Sequence, residues 1–229
     1  MSLPTVTRTS HELAEREAAL GDMLSPNQLR VMRDTIRSLV QRGAGDQALR
    51  AGAEAPDFIL PTADGAPLRL YDQLKSGPVV LVFFRGGWCP FCETYLRGLQ
   101  RELLYFQELG AQLIAVSPQL PDGSLQTGVD HALDFPLVTD AGLKTAHQYG
   151  LVYEVPPALL RVYHQIGIQL DMLNDEAGDN QLPLAATFVV NPDRSIAHAE
   201  INEDYTRRYD PVEILATLAR LDQCSTQHR

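Results

Sequence analysis

Apolar residues recur along this chain with two different periods, and the change from one to the other divides it. Between His11 and Arg42 the spacing is helical. The stretch His11–Leu20 (HELAEREAAL) predicts one helix, with Ser10 as its N-cap. Ser25-Pro26 opens a second, with proline at the first helical position and Leu29, Met32, Ile36, Leu39 and Val40 on a helical repeat. Gly43-Ala44-Gly45 ends it. Residues 1–50 therefore read as a helical arm packed on the main domain. An arm that pairs two copies of the chain into a homodimer is the alternative.

From Ala51 onward short apolar runs alternate with helical stretches. Phe58–Leu60 and Pro67–Leu70 flank the turn Ala63-Asp64-Gly65 and predict a hairpin. Val79–Phe84 (VVLVFF) lacks polar alternation, the pattern of a central strand buried on both faces. Glu93–Leu109 predicts a helix with Leu96, Leu99, Leu103 and Leu104 on its inner side and Gly110 as terminator. Leu113–Val116 and the short Leu137-Val138 come next as strands, then a helix over Gly142–Tyr149. Thr187–Val190 and Ile196–Ile201 predict an antiparallel pair joined at Asn191–Arg194, and Pro211–Leu221 a closing helix. This alternation calls for an α/β domain over residues 51–229 with a mixed sheet. Residues 152–183, with Pro156-Pro157 and the polar run Asn174–Gln181, fit no element and predict a functional insertion or a mobile loop.

Composition changes this picture little. With 229 residues, 45% apolar and 21% charged, the chain can build a large core without disulfide or metal staples. A net charge of −10 excludes nucleic acid as a main partner, because phosphate binding needs a basic patch. The run Val79–Phe84 is far short of a ~20-residue membrane span, and Met1–Glu12 has no apolar signal core. The expectation is a cytoplasmic protein with no membrane partner.

Chemistry concentrates in Phe83–Cys92, FFRGGWCPFC. A buried strand feeds a glycine turn, a C-x-x-C pair and a helix starting near Pro90. A thiolate at a helix N-terminus faces free N–H groups and the positive end of the helix dipole, which lowers a cysteine pKa from ~8.5 toward ~3.5–7.5. Two intervening residues let Cys89 and Cys92 cycle between dithiol and disulfide. Pro90 stiffens the first turn and Trp88 covers one side. The bland alternatives are two buried structural thiols or an inert remnant of a redox site. A zinc site would need two further ligands, and the histidines at 11, 131, 147, 164, 198 and 228 are scattered, so no metal or cofactor is expected. Cys224 reads as a bystander thiol at the end of the last helix. Glu93 is a candidate proton acceptor beside Cys92, although a first-turn glutamate also suits the dipole.

From about Gly52 to Leu221 the chain resembles the alkyl hydroperoxide reductase/thiol-specific antioxidant (AhpC/TSA) family of the thioredoxin superfamily. The residues that carry the likeness are Ala55-Pro56-Asp57-Phe58 with Leu60-Pro61, the strand Val79–Phe84, the block RGGWCPFC, Ala115-Val116-Ser117-Pro118, and Thr187–Pro192. More narrowly it is similar to a bacterial peroxiredoxin-like group with a helical N-terminal arm. The resemblance implies a thioredoxin-like fold, a central mixed sheet flanked by helices with an N-terminal helical extension.

It also implies thiol-dependent reduction of a hydroperoxide through a Cys89–Cys92 disulfide, with thioredoxin or another dithiol as reductant. The alternatives are a thiol–disulfide oxidoreductase acting on protein disulfides, and a redox sensor that moves the 152–183 segment. The peroxiredoxin pattern P-x-x-x-T-x-x-C places Arg85 at the proline, Cys89 at the threonine and Cys92 at the peroxidatic cysteine, so the peroxide-activating hydroxyl is missing. Arg85 then either faces a thiolate or is a surface or salt-bridge residue. The thioredoxin pattern instead makes Cys89 the exposed attacker and Cys92 the resolver, puts Phe83 where a buried acid belongs, and puts Ala185 at the cis-proline just before Ala186-Thr187. Pro183 lies two residues earlier, so either Pro183 takes over that position or the loop is altered. Exposure favours Cys89 as the attacker; the peroxiredoxin register favours Cys92. Glu203–Arg208 (EDYTRR) resembles a segment common in the narrower group, but its composition reads as a solvated loop.

Overall fold

A computed structural model describes residues 8–174 and 180–226. Helices α1 (Arg8–Met23) and α2 (Pro26–Gln41) lead into a hairpin of β1 (Ile59–Pro61) and β2 (Pro67–Arg69), the short α3 (Leu70–Gln73) and β3 (Val79–Phe83). Next come α4 (Pro90–Glu108), β4 (Gln112–Ser117), α5 (Pro121–Asp130), β5 (Leu137–Thr139) and α6 (Lys144–Gln148). The chain continues through β6 (Val152–Glu154), α7 (Pro157–Gln165), α8 (Leu170–Leu173), β7 (Gln181–Pro183), β8 (Ala185–Val190), β9 (Ile196–Asn202) and α9 (Pro211–Thr226).

The central sheet runs β5-β4-β3-β8-β9. Strand β3 lies in its middle, parallel to β4 and antiparallel to β8, with Leu81 opposite both Ile114 and Phe188. Every residue of β3 is buried, which is why VVLVF shows no polar alternation. Burying each such side chain stabilises the fold by about 1.5–3 kcal/mol before entropy is subtracted. The mixed sheet with helices around it is thioredoxin-like, and the hairpin, the 187–190/196–201 pair and the closing helix form as the sequence predicts. Among the described residues no helix is long and apolar enough to cross a membrane.

Several expectations need correction. Ser10 is not an N-cap: it lies inside α1, and its hydroxyl donates to Asp210 Oδ2 at 2.7 Å. The reciprocal capping box forms instead at α2, where Gln28 N donates to Ser25 Oγ (3.3 Å) and Ser25 N to Gln28 Oε1 (2.9 Å). Leu104 is 71% exposed, because it sits about 100° around α4 from the buried Leu103. Residues 152–183 are not a structureless insertion. They hold the antiparallel pair β6–β7 and helices α7 and α8, while 175–179, within the polar run, lie outside the described residues. Three-residue strands and a nine-residue helix opened by Pro157 are too short to leave a periodic signature. Helix α5 escapes for another reason: its two glycines argue against it, yet a Cβ on Gly123 would lie 2.3 Å from Gln119 Nε2, so a larger residue there would have to displace that side chain.

Both arm helices pack on the main body. Helix α1 crosses α4 closely, with Arg101 Nη2 donating to Glu12 Oε2 at 2.9 Å, and α2 meets α7 through Gln28 Nε2 to Gln165 Oε1 at 3.1 Å. The arm also holds the segment after β9. Gly45 N donates to Glu203 Oε1 at 2.9 Å, and Leu20, Met32 and Ile36 line a small cavity with Tyr205 and Thr206.

Candidate active site

Strand β3 ends under the site, and the chain turns through Arg85-Gly86-Gly87-Trp88 before Cys89 caps α4. Gly86 has φ +142°, and a Cβ there would lie 2.4 Å from Trp88 Nε1. A Cβ on Gly87 would meet Thr127 Oγ1 at 2.0 Å, while Gly87 N donates to the buried Gln119 Oε1. The glycine pair thus lets α5 and the loop before it press against the turn. Pro90 is the first residue of α4, where its missing N–H costs nothing, and its carbonyl accepts from Thr94 Oγ1 at 2.9 Å. Cys92 is the third helical residue.

Neither sulphur is exposed. Cys89 is 1% and Cys92 0% exposed, which removes the argument from exposure for Cys89 as the attacker. Trp88 is stacked edge-on with Tyr163 at 5.6 Å and lies 4.8 Å from the guanidinium carbon of Arg85.

Two guanidinium groups reach the two sulphurs. Arg85 is neither a surface nor a salt-bridge residue: it is 2% exposed, and its Nη1 donates to Cys89 Sγ at 3.7 Å. Its Nη2 donates to the hydroxyl of Tyr163, from α7. Its guanidinium carbon lies 4.1 Å from the Tyr205 ring, 4.8 Å from Trp88 and 5.5 Å from Tyr163, an aromatic box that offsets part of the desolvation of the charge. Arg208 Nη2 donates to Cys92 Sγ at 3.2 Å, while its Nη1 is held by the Tyr205 and Arg207 carbonyls. Among the described residues neither arginine forms an ion pair with a carboxylate.

Burial alone would push both thiols up. For Cys92, the hydrogen bond from Cys89 and then the charges of Arg208 and Arg85 reverse this and hold it well below the ordinary thiol range. For Cys89, burial is reinforced by its hydrogen bond to Cys92 and by the charge there, so it stays well above that range. The arrangement therefore favours a thiolate on Cys92 with a thiol on Cys89, the inverse of the thioredoxin assignment.

Of the other sequence candidates, Thr187 sits in β8, and its hydroxyl is 3.1 Å from that of Tyr95, whose ring Arg208 overlies at 5.9 Å. Thr187 is thus connected to Cys92 through two intermediaries. Ala185 opens β8 opposite Asn202, and Pro183 lies in β7 opposite Val152. No peptide bond among the described residues is cis, so Pro183 does not take over the cis-proline position. Glu93 Oε1 lies 3.5 Å from His131 Nε2. Phe83 packs against Tyr149 and Phe188. Cys224 falls within α9, and its side chain is outside what the structure describes.

Sequence reasoning missed Tyr163, Tyr205 and Arg208. The segment Glu203–Arg208 is not a solvated loop: Tyr205 and Thr206 are buried, and Arg208 points at a sulphur. Its likeness to a segment common in the narrower group was the signal available. For Tyr163 there was none, since α7 lay in the segment without periodicity.

A profile of the AhpC/TSA family matches residues 51–199. The thiol-disulfide oxidoreductase ResA of Halalkalibacterium halodurans is 33% identical over 103 residues, which cover 44% of this chain and 57% of that protein. ResA of Geobacillus thermodenitrificans is 30% identical over 105 residues, 45% of this chain and 59% of its own length. The chain thus spans about three fifths of the length of these relatives. Among solved structures, Peroxidoxin BcpB from Mycobacterium tuberculosis superposes with a TM-score of 0.60 at 23% identity, covering 76% of this chain and 98% of that one. A yeast mitochondrial 1-Cys peroxiredoxin gives 0.59 at 18% identity, with 78% of each chain covered. At these identities the structural likeness is one of fold.

Proposed function

Since this chain belongs to the AhpC/TSA family, we propose that it is a thiol peroxidase using Cys92 as the attacking thiolate and Cys89 as its resolving partner. The observation that carries this reading is the pair of guanidiniums on two fully buried sulphurs, Arg208 on Cys92 and Arg85 on Cys89, with no carboxylate paired to either among the described residues. Such a site suits a small oxidant. In the reduced pair a protein disulfide would need a far larger opening to reach Cys92, and reduction by thioredoxin likewise requires the start of α4 to open once the disulfide has formed.

In this reaction the Cys92 thiolate attacks the O–O bond of a hydroperoxide. An S–O bond forms, the O–O bond breaks, and the displaced oxygen leaves as water or an alcohol after taking a proton. Cys92 becomes a sulfenic acid. Cys89 then attacks that sulphur, water leaves, and the Cys89–Cys92 disulfide remains. A dithiol such as thioredoxin restores the pair by exchange, in keeping with a cytoplasmic setting. Arg208 stabilises the attacking thiolate, Arg85 with Trp88 shapes the other wall, Pro90 stiffens the first turn of α4, and Thr187 supports Tyr95 beneath Arg208. The two arm helices brace α7 and the segment after β9.

A second reading, thiol–disulfide oxidoreductase, is favoured by the relatives that carry that name. Stopped-flow oxidation by hydrogen peroxide separates the two. The peroxidase reading expects oxidation at least ~10²-fold faster than free cysteine, with two thiols lost per peroxide consumed. Parity with free cysteine, together with peroxide-independent insulin reduction, would establish the second reading instead.

A further inference from the structure

Eleven buried side-chain polar atoms among the described residues have no hydrogen-bond partner, and five of them belong to one cluster: Arg85 Nε, Trp88 Nε1, Arg208 Nε and the hydroxyls of Tyr153 and Tyr205. All five can donate. Each stranded donor costs about 1–3 kcal/mol, and such a concentration calls for an explanation. Among the described residues the site has donors in excess and no carboxylate that receives them, so what complements it is a ligand rich in oxygen lone pairs.

Tyr205 is the best placed of the set. Its ring lies 4.1 Å from the guanidinium carbon of Arg85, whose Nη1 is 3.7 Å from Cys89 Sγ. Its carbonyl receives Arg208 Nη1, and the other terminal nitrogen of Arg208 is 3.2 Å from Cys92 Sγ. Tyr205 thus meets both cations that face the sulphurs, Arg85 with its ring and Arg208 with its carbonyl, and it is 2% exposed with its own hydroxyl unclaimed. Tyr153, in β6, is also buried with its hydroxyl unclaimed, and burial pushes its pKa up while the charge of Arg85 acts against that rise.

We propose that the Tyr205 hydroxyl, supported by the unclaimed hydroxyl of Tyr153, binds the departing oxygen of the hydroperoxide and protonates it, in place of the threonine hydroxyl whose position Cys89 occupies. This rests on the peroxidase reading and adds the acid to it. As Cys92 sulphur bonds to the terminal peroxide oxygen, the O–O electron pair moves to the departing oxygen. Tyr205 O–H supplies the proton that makes it an alcohol or water. The tyrosinate left beside Arg85 takes a proton from the Cys89 thiol, and the resulting Cys89 thiolate attacks the Cys92 sulfenic acid. The expelled hydroxide takes a proton from solvent and leaves as water.

The test compares two reactions of the same thiolate in Tyr205→Phe and Tyr153→Phe, substitutions that keep the rings. Hydrogen peroxide needs the acid, whereas iodoacetamide expels iodide and does not. Tyr205→Phe should oxidise roughly 10²-fold more slowly, with Tyr153→Phe slowed in the same sense, while the alkylation rate and its pH midpoint stay within about twofold of wild type. Peroxide rates unchanged in both variants overturn the proposal, as do equal losses in oxidation and alkylation, which mark a structural role. If Tyr205→Phe loses the native circular dichroism spectrum, Tyr153→Phe decides alone. Failure of the peroxidase reading is seen separately, as slow oxidation of the wild type itself.

Discussion

Arg208 and Cys92 stand 116 residues apart in sequence and 3.2 Å apart in space, and after the hydrogen bond from Cys89 the charge of Arg208 does most to hold Cys92 below the ordinary thiol range. Replacing Arg208 with Gln should raise the pH midpoint of Cys92 alkylation and slow peroxide oxidation at pH 7 by about tenfold, since a charge-assisted hydrogen bond is worth about 1.5–3 kcal/mol. The same contact links stability to pH. Because the folded protein holds the Cys92 thiol below its unfolded value, the stabilisation is fully present above ~8.5 and is lost as pH falls through the folded-state pKa. Urea denaturation across pH 5–9 should therefore show the wild type's advantage over Arg208→Gln shrinking toward low pH. At this scale the C-x-x-C pair and Arg85 were legible, because their spacing and helix-start position carry the chemistry locally. Arg208, Tyr163 and Tyr205 were not, because only tertiary packing brings them to the sulphurs.

Among elements, legibility tracked length and burial. The run VVLVFF announced the central strand, and Ser25-Pro26 announced the start of α2, though not the capping box that forms there. Short elements such as β6, β7 and α7 carry too few residues to display a period, and their structure comes from pairing and docking instead. The contact of α1 with α4 rests on a particular glycine: a Cβ on Gly98 would lie 2.5 Å from Thr9 Oγ1 and 2.8 Å from Thr9 Cγ2. Helix propensity alone would favour alanine over glycine by about 1 kcal/mol. Gly98→Ala should nonetheless destabilise the protein by about 1–3 kcal/mol in urea, as overpacking does, and Thr9→Ala in the same chain should recover much of the loss. A stabilised Gly98→Ala single variant would show that α1 can move away from α4 at little cost.

For the whole molecule, α/β class, mixed sheet and helical arm were readable from the alternation of apolar runs. The arm's relation to the site was not, since it depends on contacts from Ser10 to Asp210, Gly45 to Glu203 and Gln28 to Gln165. Those contacts join the chain's first helices to both segments that enclose the cysteines, α7 with Tyr163 and the stretch after β9 with Tyr205 and Arg208. The central claim of this arrangement is that the buried pair is asymmetric, with Cys92 attacking and Cys89 resolving. Mass spectrometry of Cys89→Ser and Cys92→Ser after one equivalent of hydrogen peroxide addresses it most directly. The account predicts that Cys89→Ser gains one oxygen atom, trapped on Cys92 as a sulfenic acid, and that Cys92→Ser gains none on the same timescale. Oxygen on Cys89 in the Cys92→Ser variant, with none in its counterpart, would contradict it.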